Sequence, residues 1–333
     1  MTSIYDIAKA AGTSIATVSY VINKSGRVSP ETTARVEKAI QDLKYEPKSF
    51  ARALASGQTF TISIVSPLTV YKNQISFIQL INGVGEVLEK SDYRLFMHPT
   101  LDRANSWLEL EAAARGHQMD GVILLHVQLQ DKRIEILKRE SIPFVLIGRT
   151  EDNDGLDYVD ADIHDAVRLA VDHLSERGYQ KICMVGEKGN AGVSYRLIEQ
   201  FKNRISEKNL PYQPAWCSNM AESSDEMITD LLEILSGSDH PTAVFAVSDI
   251  AVLNTLKVAR QLHLQIPEDL AVIGYADNYI YQYLDPPVSA VFNGAGKLGS
   301  IAAQILLKKL TDPERHTEQI LVSPELVSRQ SVA

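Results

Sequence analysis

The sequence predicts two parts: a small all-helical head and a larger α/β core, in which doubly wound parallel sheets are covered by helices. Three observations lead to this fold class. Residues 1–47 accommodate three short helices, each with its own start signal. From Thr59 onward, continuous apolar, β-branched runs alternate with amphipathic helical stretches, as is typical of parallel sheets. The length of 333 residues exceeds one ordinary domain and leaves room for two βα layers in the core.

The first two helices of the head are separated by a short turn. Ser3 and Asp6 form a capping box that begins the first helix, and Gly12 ends it. Ser14 is positioned to cap a second helix over residues 15–23. Because only a short glycine-containing turn separates the two helices, the pair has the outline of a helix-turn-helix.

A third helix begins at Ser29, where Pro30 occupies the first helical position and loses no hydrogen bond there. Val36, Ile40 and Leu43 follow at helical spacing and form one apolar face. The sequence therefore predicts a three-helix head with its own small core.

Apolar runs that predict strands recur through the core. They are Phe60–Val65, Arg94–His98, Gly121–Leu125, Phe144–Ile147, Lys181–Val185, Ala243–Val247, Leu270–Tyr275, Val288–Phe292 and Gln319–Val322. Helical stretches lie between most of them, such as Phe77–Lys90, His164–Arg177, Tyr195–Lys208 and Ile250–His263. A break near Tyr158–Asp162 divides the core into two lobes. A ligand is expected between the lobes, at the carboxyl ends of the strands.

Charge is distributed unevenly along the chain. Residues 1–58 carry eight Lys/Arg and five Asp/Glu, whereas residues 59–333 carry 25 Lys/Arg and 37 Asp/Glu. A basic head on an acidic body indicates that the head binds a polyanion and the body does not.

Several classes of protein are excluded by composition. Cys183 and Cys217 are too few for a disulfide framework or a CxxC metal site, and the eight histidines show no metal-ligand spacing. The first residues lack the apolar run of a signal peptide, and no stretch is long and apolar enough to cross a membrane. We therefore expect a cytoplasmic protein without a metal, a cofactor or a membrane partner.

Specific motifs extend from the head to the last residues of the core. They are Ile4-Tyr5-Asp6-Ile7-Ala8, Thr17-Val18-Ser19, Val28-Ser29, Leu43-Lys44-Tyr45-Glu46-Pro47, Ala51-Arg52-Ala53-Leu54, Leu146-Ile147-Gly148-Arg149, Ser248-Asp249, Val272-Ile273-Gly274-Tyr275, Asp285-Pro286-Pro287 and Glu325-Leu326-Val327-Ser328-Arg329. Together these motifs closely resemble the LacI/GalR family of bacterial transcription regulators, over essentially the whole chain.

The resemblance implies a helix-turn-helix DNA-binding domain, a hinge helix and a two-lobed core like that of periplasmic binding proteins. The implied bounds are 1–47 for the head, 48–58 for the hinge and 59–333 for the core, with an N-subdomain of about 59–160 plus 294–322 and a C-subdomain of about 161–293 plus 323–333. The implied function is transcription regulation, with a repressor expected. It would bind operator double-stranded DNA as a homodimer and respond to a small-molecule effector, a sugar or sugar derivative, held between the lobes. An enzyme is not expected.

The second helix would then enter the major groove of DNA. The resemblance assigns base contacts to Ile15, Ala16 and Tyr20, of which the first two offer only apolar contact, for example to a thymine methyl group. Small polar and basic residues suit contacts to the DNA backbone: Ser14, Thr17, Ser19, Asn23 and Arg27. The alternative for Ile15 or Ala16 is burial in the head's own core, and for the polar residues it is a helix cap or a solvated face.

The hinge carries two residues that the resemblance assigns to the minor groove, Ala51 and Leu54. The Leu54 side chain would be an apolar wedge that kinks the duplex at the operator centre. The alternative is that Leu54 packs the linker onto the core. Residues 49–56 are helix-compatible but shorter than the roughly 12–15 residues that an isolated helix needs in water.

The effector site is implied by matches at the carboxyl ends of the predicted strands. Arg196 matches the family's effector-gripping arginine, and the other candidates are Phe77, Arg149, Asp160, Asp249, Asp277 and Asn293. Several alternatives stay open: Arg196 in a surface salt bridge, Arg149 paired with Asp160, Asp249 as a helix cap, and Phe77 as a core residue. One departure concerns the effector, because the family's usual Asp is replaced by Ala276, so Asp277 takes that role or the effector differs.

Two other functions compete with this interpretation. Gly294–Gly299 fits the GxGxxG pattern of a dinucleotide-binding enzyme, although only one predicted strand follows it. A periplasmic solute-binding protein would explain the two lobes but not the helix-turn-helix. The glycines are better explained by a tight strand-to-helix turn near the cleft.

Overall fold

A computed structural model of the chain describes residues 2–22, 26, 28–45, 57–67, 75–100, 106–187, 192–221, 223–276, 278–292 and 294–333. The chain divides into two compact units. One comprises residues 1–61 and 117–120, and the other comprises residues 62–116 and 121–333. No helix within the described ranges is long and apolar enough to cross a membrane.

The first unit contains the three predicted head helices. They are α1 (Ile4–Ala11), α2 (Ile15–Ile22) and α3 (Pro30–Asp42). The Asp6 carboxylate accepts a hydrogen bond from the Ser3 backbone N–H at 2.8 Å, and Gly12 ends α1 with a left-handed φ of 61°. The side-chain oxygens of Ser14 and Ser29 accept hydrogen bonds from the next turn and cap α2 and α3. All three predicted helix starts are therefore confirmed.

The head core is small and lies between the three helices. Ile7, Val18 and Val36 are fully buried in it, one from each helix. Leu43 was predicted to share this face but lies beyond the end of α3 and stays 38% exposed. Ala39 is buried in the core instead, because it follows Val36 by three residues on the same face of the helix.

Two six-stranded sheets form the second unit. In the first sheet the strand order is β11 (Gln319–Val322), β5 (Tyr158–Ala161), β4 (Phe144–Ile147), β3 (Gly121–Leu124), β1 (Thr61–Pro67) and β2 (Arg94–Thr100). In the second sheet the order is β12 (Glu325–Val327), β10 (Ser289–Phe292), β9 (Ala271–Gly274), β8 (Ala243–Ala246), β6 (Ile182–Glu187) and β7 (Cys217–Ala221). We call the first sheet with its helices the first half and the second sheet with its helices the second half.

Helices connect successive strands, as a doubly wound fold requires. They are α4 (Ile75–Leu88), α5 (Ser106–Arg115), α6 (Lys132–Arg139), α7 (Ile163–Ser175), α8 (Gly192–Glu207), α9 (Ser224–Ser236), α10 (Asp249–Gln261) and α11 (Ala295–Thr311). Helices α4 and α11 pack into the core of the first half, whereas α7 and α8 pack into that of the second. Strand pairs such as β1–β3 and β6–β8 are parallel, and β12 runs antiparallel to β10.

Three strands were not recognised in the sequence. Tyr158–Ala161 was interpreted as a break between lobes but forms β5, whose four residues are all buried. The charged residue Asp160 in this strand interrupts the apolar run by which a strand is recognised in the sequence. In β7 the adjacent polar residues Ser218 and Asn219 interrupt the apolar residues, and β12 has only three residues. None of the three shows the continuous apolar run by which the other strands were predicted.

The glycines of the GxGxxG pattern serve helix packing. A Cβ atom on Gly299 would lie 2.1 Å from the backbone oxygen of Leu80, and one on Gly83 would lie 2.0 Å from the backbone oxygen of Gly296. Helices α4 and α11 thus touch backbone to backbone. Gly294 alone makes the predicted turn, with a left-handed φ of 65° before α11. The packing of α4 beside these glycines accounts for their spacing without a bound dinucleotide.

Gly299→Ala is expected to lower the free energy of unfolding by about 1–3 kcal/mol, since the new Cβ must push α4 and α11 apart. The matched control is Gly85→Ala in α4, where an added Cβ meets nothing within 4 Å. That variant should be unchanged or about 0.5–1 kcal/mol more stable, because alanine favours the helix. Urea denaturation of both variants measures the difference. Equal stabilities would contradict the close contact between the helices.

Candidate functional site

The outer face of α2 carries the residues expected to contact bases. Ile15 is 39% exposed, Tyr20 is 50% exposed, and Ala16 is also exposed. The inward position of this helix is taken by Val18, which is fully buried. Burial of Ile15 or Ala16 in the head core, the alternative considered above, is therefore not what the structure shows. A row of exposed apolar and aromatic side chains on one helix is available for contact with another molecule.

The polar residues of α2 have partly structural roles. Ser14 Oγ accepts a hydrogen bond from the Thr17 backbone N–H at 3.1 Å and lies 2.9 Å from Thr17 Oγ1. Ser14 thus caps the helix and also remains exposed. Ser19 is half-buried on the same helix. The remaining candidates for DNA contact lie outside the described residues: Asn23, Arg27, Ala51 and Leu54.

In the core, one carboxylate brings two arginines together. Asp160 lies in β5, Arg149 follows β4, and Arg196 is in α8. Arg149 Nε donates to Asp160 Oδ2 at 2.9 Å, and Arg196 Nη2 donates to the same oxygen at 3.3 Å. The two arginines come from different halves of the core. Of the alternatives considered for Arg149 and Asp160, pairing with each other is the one observed.

Arg196 links the halves at more than one point. Its Nη1 donates to the backbone oxygen of Arg149 at 3.1 Å. One turn earlier in α8, the Gly192 backbone N–H donates to the backbone oxygen of Val127 at 3.0 Å. A Cβ on Gly192 would lie only 2.9 Å from the Arg149 oxygen, so glycine permits this close approach. The first turn of α8 is thereby fixed to loops that follow β3 and β4. These contacts lie inside the core, so the surface salt bridge considered for Arg196 is not what the structure shows.

Burial dominates the electrostatics of this cluster. The side chains of Asp160 and Arg196 are only 7% and 16% exposed. Burial raises the pKa of the Asp160 carboxyl, although the charge of Arg196 and the hydrogen bond from Arg149 act to lower it. Burial likewise lowers the pKa of the Arg196 guanidinium. Tyr275, at the carboxyl end of β9, is buried next to both groups, and its pKa is raised well above its usual value, chiefly by burial.

Asp249 lies at the start of α10, directly after β8. Ser248 Oγ accepts from the Ala251 backbone N–H and is the cap of this helix, so the alternative of Asp249 as the cap is wrong. Asp249 instead accepts a hydrogen bond from the buried Tyr281 hydroxyl at 2.9 Å and is only 5% exposed itself.

The other expected effector contacts are less defined. Phe77 is half-buried near the start of α4 and packs against the core of the first half. Ala276, at the position where the family's usual Asp is replaced, is buried. Asp277 and Asn293 lie outside the described residues. No group of His, Cys, Asp or Glu among the described side chains could hold a metal ion.

Comparison with known proteins shows the family. Residues 3–48 match the description "Bacterial regulatory proteins, lacI family", and residues 171–332 match a periplasmic binding protein-like domain. The HTH-type transcriptional repressor PurR of Aliivibrio salmonicida is 31% identical over 100% of this chain and 99% of its own length. The chain belongs to the lacI family of bacterial regulatory proteins. It is a DNA-binding transcriptional repressor with a helix-turn-helix head and a periplasmic-binding-protein-like core.

Solved structures of similar fold cover nearly the whole chain. A complex of the transcriptional regulator CelR with cellobiose has a TM-score of 0.74 and 25% identity, covering 99% of this chain and 100% of that one. A lac repressor dimer bound to operator and the anti-inducer ONPF has a TM-score of 0.83 and 21% identity, covering 99% of each chain. The helix-turn-helix match also excludes the solute-binding protein considered above.

Several residues near the expected effector site of this lacI-family repressor were not identified from the sequence. Gly192 is one, since a glycine at a helix start gives no signal until its neighbours are known. Tyr158 is another, as its ring centroid lies 5.9 Å from the Arg149 guanidinium. Tyr281 was missed because a buried tyrosine between two exposed ones in a short turn resembles a surface loop.

Tyr20→Ala is expected to weaken binding to the repressor's operator by about 1–3 kcal/mol, the range for loss of one base contact. The head should stay folded, because Tyr20 is half exposed and outside the core. The operator is first selected from random oligonucleotides with the wild-type protein, and affinities are then measured by fluorescence anisotropy. Leu43→Ala, at an exposed apolar residue of the same head, is the control and should bind normally. Equal affinities for both variants would remove Tyr20 from the DNA contact.

Proposed function

We propose that this repressor is switched by a small-molecule effector that binds between the two halves of the core. The observation that supports it most is the cluster at the carboxyl ends of the strands. There, Arg196 of the second half donates to Asp160 and to the backbone of Arg149 in the first half. A ligand contacting these groups would touch both halves at once. Such a ligand can favour one relative orientation of the halves, and this is what a switch requires.

The switch acts on DNA through the linker that follows the head. We infer from the family resemblance that residues 48–58 form paired hinge helices on operator DNA and that Leu54 is a wedge in the minor groove. One orientation of the halves would permit this pairing and the other would prevent it. Effector and operator binding are then coupled, so that each changes the affinity of the other by the same factor.

The effector is proposed to be a sugar or sugar derivative. The site offers guanidinium N–H donors from Arg149 and Arg196, and a buried Asp249 that already accepts from Tyr281. Such donors and acceptors suit a ligand with several hydroxyl groups. A regulator of similar structure, 25% identical to this chain, has been solved with cellobiose.

A thermal-shift screen of sugars, sugar phosphates and nucleosides on the full chain tests the proposal. A ligand present at 100 times its Kd should add about 2.7 kcal/mol of stability. A compound that raises the melting temperature should also change operator affinity. Stabilisation without any change in operator affinity would contradict the switch.

Arg196→Gln should raise the Kd for the ligand found in the screen by at least about tenfold, because one hydrogen bond from a charged donor is worth roughly 1.5–3 kcal/mol. The control is Arg204→Gln, in the same helix two turns later, where Nε and Nη2 of the guanidinium donate to Oδ1 and Oδ2 of Asp172 at 3.0 and 2.7 Å. Both variants lose an ion pair, but only the first should lose ligand affinity in calorimetry. Similar Kd values for the two would place Arg196 outside the site.

We also propose that the repressor is a homodimer. The short turn Tyr279–Tyr283 of the second half exposes 63% of Tyr279 and 75% of Tyr283, and Leu253 of α10 is 39% exposed. Large aromatic side chains left this exposed are typical of protein interfaces. The lac repressor of similar fold was solved as a dimer. A second copy of this chain is therefore the proposed occupant of this aromatic surface.

Replacing Tyr279 and Tyr283 together by serine should shift the protein from dimer to monomer at micromolar concentration, because aromatic anchors dominate interface energies. Sedimentation velocity measures the change. Tyr212→Ser, at a tyrosine that is 40% exposed elsewhere on the second half, should leave the dimer intact. A double variant that sediments as wild type would move the interface to another surface.

A further inference from the structure

The Asp160 carboxylate already accepts three hydrogen bonds from the protein. Its Oδ2 accepts from Arg149 Nε at 2.9 Å and from Arg196 Nη2 at 3.3 Å, and its Oδ1 accepts from the Ala161 backbone N–H at 2.9 Å. The side chain is 7% exposed. Both oxygens are engaged within the protein, so the carboxylate acts on a ligand through the arginines that it holds.

Two further carboxylates directly follow strands of the core. Asp162 follows β5 and caps α7 by accepting a hydrogen bond from the Asp165 backbone N–H at 3.1 Å. Burial is the largest cause of the raised pKa of Tyr275, and the charges of Asp160 and Asp162 raise it further. Asp249 follows β8, the neighbour of β9 in the second sheet. Asp162 acts on the same Tyr275 as Asp160 and Arg196 do, whereas Asp249 accepts from Tyr281. Two guanidinium groups, those of Arg149 and Arg196, thus lie beside two carboxylates, those of Asp160 and Asp162. The two arginines therefore leave no excess of positive charge.

We propose that Asp160 determines the charge of the effector: it occupies Arg149 and Arg196 as an internal anion and so restricts the site to uncharged polar molecules. The proposal rests on the proposed effector role of this site and narrows the ligand class to neutral hydroxyl- or carbonyl-bearing compounds. Phosphorylated or carboxylated molecules are excluded. Asp160 is accordingly a positioning residue rather than a direct contact.

The N–H groups that remain available fit a neutral ligand. Among the described residues, the Arg149 side chain makes one hydrogen bond, from Nε, and its two terminal nitrogens are not used within the protein. Arg196 Nε is buried without a hydrogen-bond partner in the described part of the chain. These donors can be satisfied by hydroxyl or carbonyl oxygens. An anion in the same place would be attracted by the arginines but repelled by Asp160 and Asp162 at close range in a poorly screened site.

The variant Asp160→Asn removes the negative charge of this side chain and keeps its shape. Asparagine keeps an oxygen that can accept from Arg149 and a side chain of the same size, but it removes the negative charge. The two guanidinium groups then lack their internal anion. The variant should therefore acquire an affinity for small anions that the wild-type protein does not have.

The test measures binding of inorganic phosphate to the full chain by calorimetry and thermal shift, at constant ionic strength adjusted with sodium chloride. The wild type should gain nothing from phosphate. Asp160→Asn should bind phosphate at least about tenfold more tightly than the wild type, as expected when one like charge is removed beside a buried anion site. Adding Arg149→Gln to this variant should abolish the gain.

Asp165→Asn is the matched control. It removes the same charge from α7, where Asp165 forms a surface ion pair with Arg168 at 2.5 Å and is 31% exposed. This variant should show no phosphate binding. If Asp160→Asn gains no affinity, or if the control gains as much, Asp160 does not set the charge of the site.

The wild-type protein and the Arg149→Gln variant together decide the question should Asp160→Asn fail to fold. Phosphate binding by the wild type that is lost in Arg149→Gln would show a cationic site and overturn the proposal. If instead the proposed switch fails, no small molecule will alter operator affinity, but the phosphate measurements will still give the result expected here. The two failures can therefore be told apart.

Discussion

The hydrogen bonds of Asp160 to two arginines from opposite halves of the core are the interaction on which this molecule depends. A carboxylate this deeply buried is unfavourable without partners, and each arginine would be equally costly to bury alone. The pair of arginines satisfies the carboxylate only while the two halves stay close. The cost of separating the halves is therefore concentrated at a few polar atoms, in the place where a ligand is expected.

Gly192 shows why this arrangement needs close backbone contact. Its N–H binds the Val127 oxygen, and a side chain at this position would collide with the Arg149 oxygen. The next turn of α8 carries Arg196, four residues later on the same face of the helix. One short segment of the second half therefore makes both a backbone contact and a charged contact with the first half. Any movement of α8 changes both contacts together, as a two-state element requires.

The head could be predicted almost completely from the sequence, because its signals are local. Ser3, Ser14 and Ser29 begin helices through hydrogen bonds to residues three positions away, and Gly12 ends a helix through its own φ. Leu43 was misplaced because periodicity continued past the true end of α3. Strands of the core were predicted where apolar runs were continuous. Strand β5 was missed because it contains Asp160, whose charge is buried in ion pairs that the sequence does not show.

The site could be predicted only in part, because its contacts join residues far apart in sequence. The resemblance supplied Arg149, Asp160 and Arg196 as candidates, but whether they pair with each other or face a ligand depends on the packing of two sheets. The glycine pattern at Gly294–Gly299 is a motif match whose explanation, as expected, is structural. Its spacing suggested a phosphate-binding turn, whereas the backbone of α4 occupies the space beside it.

A second connection runs from the effector region to the proposed dimer surface. Tyr281 is fully buried between the exposed Tyr279 and Tyr283 of one short turn, and its hydroxyl donates to Asp249. The orientation of that turn therefore depends on a carboxylate that the family resemblance assigns to effector binding. A ligand that engaged Asp249 would compete with or reinforce this hydrogen bond. Because a dimer contact is built from few aromatic anchors, a small rotation of the turn would alter how two chains meet. The Tyr281 hydroxyl would thus connect the proposed effector site with the proposed subunit contact.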